Sequence, residues 1–330
     1  MVFVFLVIEV LRARCESDAL SFGRGSAEDI HMLKSFDELF AAADAAPEPV
    51  TVVAAGGADV TVLQALHQAH ERGWIKPMVT GSEPQIRQVA ETIGIDLRAF
   101  SIIDAEKPAR AAVQQIAEKN AQILMKGQIA TPEFVKAILD DEDGLTIGRA
   151  ICQMVLMEIP RDNRRFLMTD TGIMIKPKFS QKADMVMHAI ETAEALGVAE
   201  PRIAMMAATE KVNEKMPETE DAAKLVEQAK RGDFGRCTVQ GPLSFDLAYD
   251  ALAGEKKKIE GDVVGAADAM VFADLLSANL TVKGIMYTAD CKFGGILCGT
   301  SVPVVFMSRA DSVETRMRSL AYALAVSRYE

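Results

Sequence analysis

Ser308-Arg309-Ala310-Asp311-Ser312 ends a short apolar run, Pro303-Val304-Val305-Phe306-Met307, and opens a long helical pattern. A strand that feeds a helix N-terminus aims unpaired backbone N–H groups and the positive end of the helix dipole at one point. Ser308 adds a hydroxyl there and Arg309 a guanidinium fork, a combination that suits a phosphate. The structural alternative is a plain helix start. Asp311 followed by Glu314 fits a capping pair, and Ser312 fits a cap. Arg309 favours the functional reading, because a strand needs no arginine to stop.

Four further segments carry turn chemistry at strand ends, where ligands bind in open α/β sheets. Leu124-Met125-Lys126-Gly127 delivers a lysine and a glycine before a helix expected to be capped by Thr131, with Pro132 next. Met168-Thr169-Asp170-Thr171-Gly172 ends a strand in hydroxyls and a carboxylate. Gln240-Gly241-Pro242-Leu243 reads as a turn, and Gly261 to Asp268 leads through Asp274 to Asn279. Gly56-Gly57 also follows a strand, but it lacks the GxGxxG fingerprint and a following acidic partner, so a nicotinamide site is not supported.

The elements that must position these residues alternate. Strands are expected at Val50 to Ala55, Pro77 to Thr80, Arg98 to Ile103 and Ala121 to Met125, each followed by a helical period. After the acidic loop at Asp140 to Gly144 a second series follows, with strands at Cys152 to Ile159, Phe166 to Thr169, Arg202 to Ala207, Cys237 to Gln240 and Ala269 to Phe272. Short strands return at Gly295 to Cys298 and Pro303 to Met307 before the last helix, expected from Asp311. This is the βαβ rhythm of a parallel sheet covered on both faces.

With 330 residues, 49% hydrophobic and 25% charged, the chain can bury a large core and is long enough for two domains. A formal net charge of -11 argues against a nucleic-acid partner, since Lys256-Lys257-Lys258 is flanked by Glu255 and Glu260 and reads as a solvated helix end. The five cysteines are scattered, without a CxxC pair, which indicates a reduced, cytoplasmic protein. His67 and His70 lie three apart on an expected helix without a matching acidic or thiol partner, so no metal site is assigned. The apolar run from Met1 to Ile8 is too short to span a bilayer and lacks the basic flank of a signal peptide. Residues 1–31 read as a poorly ordered extension and Met32 opens a helix, which suggests Met32 as the natural start. An intact mass that includes residues 1–31 would refute that.

Taken together and in order, Leu124-Met125-Lys126-Gly127, Thr131, Gly241-Pro242-Leu243 and Ser308-Arg309-Ala310-Asp311-Ser312 resemble the phosphate acetyltransferases and phosphate butyryltransferases, with the butyryl branch the nearer. The resemblance runs from about Met32 to the C-terminus. It implies two parallel-sheet αβα domains flanking a cleft, in the isocitrate/isopropylmalate-dehydrogenase-like fold, with residues 32–145 plus 294–330 as the first and 146–293 as the second. It also implies transfer of a short acyl group between coenzyme A and inorganic phosphate, with no permanently bound cofactor, by a homodimer or larger homo-oligomer. Ser308 is then expected near the CoA thiol, Arg309 at the phosphate, and Lys126, Gly127, Thr131, Lys136, Asp170, Thr171 and Asn279 around the substrates.

The chain departs from the acetyltransferase pattern in two places. Thr315 stands where that branch has an aspartate base, which leaves Asp311 or Glu314 as substitutes, or no dedicated base at all. Thr171 stands where a cysteine is common, which favours direct transfer over an acyl-cysteine. Asp170 either binds substrate or ties its own turn. Two other readings are a non-catalytic acyl-CoA sensor and an NAD-dependent, metal-using oxidoreductase of related fold; the second lacks the aspartate and arginine cluster it needs.

Overall fold

The computed structural model describes residues 32–327 apart from 141, 143, 307 and 309; the extension 1–31 and Arg309 lie outside the described residues. Alternating apolar side chains build the sheet. In Val50–Ala55 (β1), Val52 and Ala54 face one core while Val53 and Ala55 face another, the two-residue period of a strand buried on both faces. The other strands, in chain order, are Ile75–Gly81 (β2), Ser101–Asp104 (β3), Ile123–Lys126 (β4), Cys152–Ile159 (β5), Arg164–Thr169 (β6), Arg202–Met206 (β7), Thr238–Leu243 (β8), Ala269–Val271 (β9), Lys292–Cys298 (β10) and Val304–Val305 (β11).

They form one eleven-stranded sheet in the order β3-β2-β1-β4-β11-β10-β5-β6-β9-β7-β8. The β3-β2-β1-β4-β11 half is parallel throughout, as is the β6-β9-β7-β8 half. Between them β10 is antiparallel to both β11 and β5, and β5 is antiparallel to β6, so the two halves run in opposite directions. The strand before Ser308 pairs with β4, two places from its distant sequence neighbour β5 and next but one to β1.

Eleven α-helices among the described residues cover the sheet. On one face a single core runs under both halves, from Val52 and Met125 through Met154 and Leu156 to Ile203. On the other face the core is divided: Val53, Leu124 and Phe306 belong to one cluster, Val155, Met168 and Val282 to another. A gap between two cores on one face of a sheet is where a ligand can enter without unpacking either.

Several boundaries differ from the sequence reading by one to four residues, and three of the differences bear on the argument. The first helix is Phe36–Asp44, starting four residues after Met32, because Ser35 and Glu38 form a capping box. The helix Thr131–Ile138 takes Ala130 as its N-cap, so Thr131 is its first residue and its hydroxyl does not cap. Gly241-Pro242-Leu243 lies within β8 rather than in a turn; a Cβ on Gly241 would meet Met205 Cβ at 2.5 Å, so glycine allows β8 to pass close to β7.

Candidate active site

A cavity of about 240 Å³ opens between the two divided cores. Phe306 lines it from one cluster, Val155 and Val282 from the other. Its polar wall is Thr131, Gln153, Thr171, Asn279, Lys283, Ser308 and Asp311, and its apolar wall includes Met286, Tyr287 and Phe293. Five of the ten residues singled out in the sequence therefore meet here: Thr131, Thr171, Asn279, Ser308 and Asp311.

The Ser308 corner is held by its own carboxylate. The Ser308 backbone N–H donates to Asp311 Oδ2 at 2.7 Å, and the Asp311 N–H donates back to the Ser308 carbonyl at 3.2 Å. Ser312, not Asp311, caps the last helix, Val313–Ser327: its hydroxyl accepts from the Thr315 N–H at 3.2 Å. Thr315 Oγ1 lies 3.1 Å from Ser312 Oγ, and Glu314 pairs with Arg318. With the cap and Glu314 accounted for, Asp311 is the acid left facing the cavity at this corner. Burial raises its pKa, against the Ser308 N–H and the positive charges of Arg316, Lys283 and Lys126.

Arg316 was not found from the sequence. It is fully buried, and its Nε donates to Thr61 Oγ1 at 2.9 Å while its other nitrogens reach the carbonyls of Lys126 (3.4 Å) and Ser308 (3.5 Å). It thereby joins the ends of β4 and β11 to the helix Val60–Glu71. The available signal was position: 313, 316, 317 and 320 share the inward face of an amphipathic helix, so an arginine at 316 is a buried cation. Lys283 was missed as well. Asn279, Val282, Lys283 and Met286 fall at i, i+3, i+4 and i+7 on the helix Leu275–Thr288, so the choice of Asn279 already pointed to that face.

Lys126 and Gly127 stand behind the cavity wall. Lys126 is buried, with Nζ 3.4 Å from the Gly127 carbonyl, and a Cβ on Gly127 would meet the Gly56 oxygen at 2.2 Å. The two strand-end turns thus touch backbone to backbone, and Gly127 N–H donates to the Ala55 carbonyl at 2.8 Å. Gly56 has φ +83°, so the Gly56-Gly57 pair is a tight turn in close contact with its neighbour. Lys136 does not line the cavity; it opens on a separate surface hollow with Lys107 and Arg110.

Asp170 is spent on its own turn. Its Oδ1 accepts from the N–H groups of Gln153 (3.0 Å), Gly172 (3.0 Å) and Ile173 (3.1 Å), and its Oδ2 from Met174 (2.7 Å). Burial pushes its pKa up and these four donors oppose that. Gln153 couples this turn to the Ser308 side, since its Nε2 donates to the Phe306 carbonyl at 3.1 Å. Asn279 Nδ2 donates to the Thr171 carbonyl at 3.0 Å, while the buried Thr171 hydroxyl has no partner among the described residues.

The family profile described as phosphate acetyl/butaryl transferase matches residues 105–324, two thirds of the chain and all of the cavity wall. The chain belongs to the phosphate acetyl/butyryl transferase family. It is 35% identical to the phosphate butyryltransferase of Clostridium acetobutylicum over 299 residues, covering 90% of this chain and 99% of that one. It is also 35% identical to the phosphate acetyltransferase of Thermotoga maritima over 265 residues, covering 80% and 90%. A branched-chain phosphotransacylase from Enterococcus faecalis V583 superposes with a TM-score of 0.76 at 30% identity, over 85% of this chain and all of that one. The chain is thus a phosphate acyltransferase with the fold of the phosphotransacylases. Among the described residues, no helix is long and apolar enough to cross a membrane.

Proposed function

We propose that this cavity transfers a short acyl group directly between coenzyme A and inorganic phosphate, acyl-CoA + phosphate ⇌ acyl phosphate + CoA. The observation that carries the proposal is the Ser308–Asp311 corner, where a carboxylate free of capping duty faces a cavity with one polar and one apolar wall. The apolar wall, with Val282, Met286 and Phe293, suits a butyryl or shorter chain. Lys283 on the polar wall, with Arg309, which follows Ser308 in the sequence, supplies positive charge for the phosphate. The helix Thr131–Ile138 has no side-chain acceptor at its N-cap, so its first N–H groups are available to an anion.

A phosphate oxygen attacks the thioester carbonyl carbon, the carbon–sulfur bond breaks, and CoA leaves as the thiol after taking a proton from Asp311. In reverse Asp311 accepts the thiol proton. A carboxyl with a raised pKa is suited to both directions. Positive charge and N–H donors stabilise the oxyanion between the two states. Ser308 lies beside the thiol, and Asn279 fixes the Thr171 turn.

Asp170, Gly127 and Lys126 act from behind the wall as positioning groups. Lys136, in a hollow lined also by Lys107, Arg110, Glu133 and Asp140, offers positive charge to the diphosphate of CoA. The two oppositely directed halves of the sheet are the two domains of the proposal, 32–145 with 294–330 and 146–293. A homo-oligomer in the cytoplasm completes it, motivated by the exposed Leu276 and Leu280 one helical turn apart; a monomer in sedimentation would remove that part. The test is thiol release from acetyl-, propionyl-, butyryl- and valeryl-CoA with and without phosphate. Release that requires phosphate is expected, and CoA binding without release from any chain would instead identify an acyl-CoA sensor.

A further inference from the structure

A second cavity, of about 290 Å³, is lined by Arg149, His188, Glu191, Thr192 and Cys298 and shares no lining residue with the first. We propose that Cys298 and Cys152 at this cavity are a peroxide-reactive thiol pair that closes to a reversible disulfide. The proposal does not depend on the acyl-transfer reading.

Register places the two sulfurs together. Cys298 of β10 is paired directly with Cys152 of β5, and both are free thiols. Directly opposed residues of antiparallel strands have Cα atoms about 4.5–5.5 Å apart. A disulfide requires about 4.4–6.8 Å, so the strands need not move to close one. Cys298 is half-buried and reached through the cavity, while Cys152 is fully buried behind it.

The surroundings assign different roles to the two. His188 Nε2 lies 3.0 Å from the Ala150 carbonyl and Nδ1 lies 3.5 Å from Glu191 Oε2, so both ring nitrogens face acceptors. Burial works most strongly against a charged ring, but Glu191 and the Cys298 charge together outweigh it and raise the His188 pKa; Arg149, itself 2.7 Å from Glu191, opposes. The neighbouring Cys152 thiol, then the His188 charge and the Thr192 hydroxyl 3.6 Å away, lower the Cys298 thiol against burial and Glu191. Cys152 is raised by its Cys298 neighbour, by burial and by Asp170. Cys298, which lines the cavity beside Thr192, is therefore the sulfur a peroxide reaches first, and Cys152, buried behind it, is the resolving thiol. Cys237 and Cys291, by contrast, are both raised by burial.

One more group is unsatisfied. The Tyr322 hydroxyl is fully buried and has no hydrogen-bond partner among the described residues, and the charges of both thiols act on it. An oxygen added to sulfur would give it an acceptor.

The oxidant is a hydroperoxide, ROOH. The Cys298 thiolate attacks the terminal oxygen, the O–O bond breaks, and the departing alkoxide or hydroxide takes a proton, leaving Cys298 as the sulfenic acid. Cys152 sulfur then attacks the Cys298 sulfur. The S–O bond breaks as the S–S bond forms, and the leaving hydroxide takes the Cys152 proton to become water. The sum is 2 RSH + R′OOH → RSSR + R′OH + H₂O, with the thiols oxidised by two electrons and the peroxide reduced by two.

The experiment treats the full chain with graded hydrogen peroxide, alkylates the remaining thiols, and maps the cysteines by mass spectrometry. The expected product is a Cys152–Cys298 linked peptide that appears before Cys237 or Cys291 is oxidised and disappears with dithiothreitol. Cys152→Ser should leave a sulfenic acid on Cys298 that dimedone captures. A readout independent of any substitution is the iodoacetamide rate of the untreated protein, expected several-fold faster at Cys298, whose thiol is lowered, than at Cys237 or Cys291, whose thiols burial raises. Oxidation of Cys237 or Cys291 at doses that leave Cys152 and Cys298 reduced, or equal alkylation rates at all three, would overturn the proposal.

Discussion

Asp170 and Asp311 occupy similar places and are used differently. Each follows a strand, each is largely buried, and burial raises the pKa of each. Asp170 receives four backbone N–H donors on its two oxygens and is 2% exposed, outside the cavity lining. Asp311 receives the Ser308 N–H, lines the cavity, and has the charges of Arg316, Lys283 and Lys126 around it. The difference separates a carboxylate that shapes a site from one that can move a proton within it. A raised pKa alone does not distinguish them; the number of backbone donors already committed does.

The largest expected effect comes from Asp311→Asn, which keeps an acceptor for the Ser308 N–H but cannot take a proton. Turnover should fall by about two to four orders of magnitude, the usual contribution of a general base, with the melting temperature unchanged. Arg309→Ala, motivated by its place in the sequence beside Ser308, should lower kcat by about two to three orders and raise the KM for phosphate. Near-normal kinetics in a folded variant would remove Arg309 from the site.

Asp170→Ala inverts the pattern. It strands four buried donors, so a loss of about 2–4 kcal/mol in denaturant unfolding is expected, with activity lost chiefly through stability. An unchanged midpoint would mean the turn does not need its carboxylate. Ser312→Ala is the smallest: about 1 kcal/mol from the missing cap, and kcat within twofold of the parent. A large kcat loss there would show that the cap and the base had been assigned to the wrong residues.

Much of the scaffold was legible because its signals are local. Val50–Ala55 and Cys152–Ile159 match their expected limits, since β-branched and apolar runs bounded by glycine or by loops leave little choice. Thr131 was misplaced by one position because Pro132 is tolerated at either of the first two helical positions, and pattern alone does not choose between them. The Asp311 carboxylate was visible as a residue type but not as a free one. That required knowing that Ser312 caps, a choice among neighbouring acceptors that only the backbone path settles. The helical period marks the faces that carry Arg316 and Lys283, but it does not say which distant strands and turns those faces meet, and that sets their roles.

The most direct test of the contrast is the pH–rate profile of CoA thiol consumption from acyl phosphate by the parent enzyme and by Asp311→Asn. A carboxyl with a raised pKa is ionised above that pKa and loses its basicity as pH falls through it. In the thiol-consuming direction the parent should therefore show an acid limb above the ordinary aspartate range, and the variant a low rate without that limb. The same acid limb in both proteins, or a variant rate within threefold of the parent, would contradict the assignment of Asp311 as the proton-transfer group.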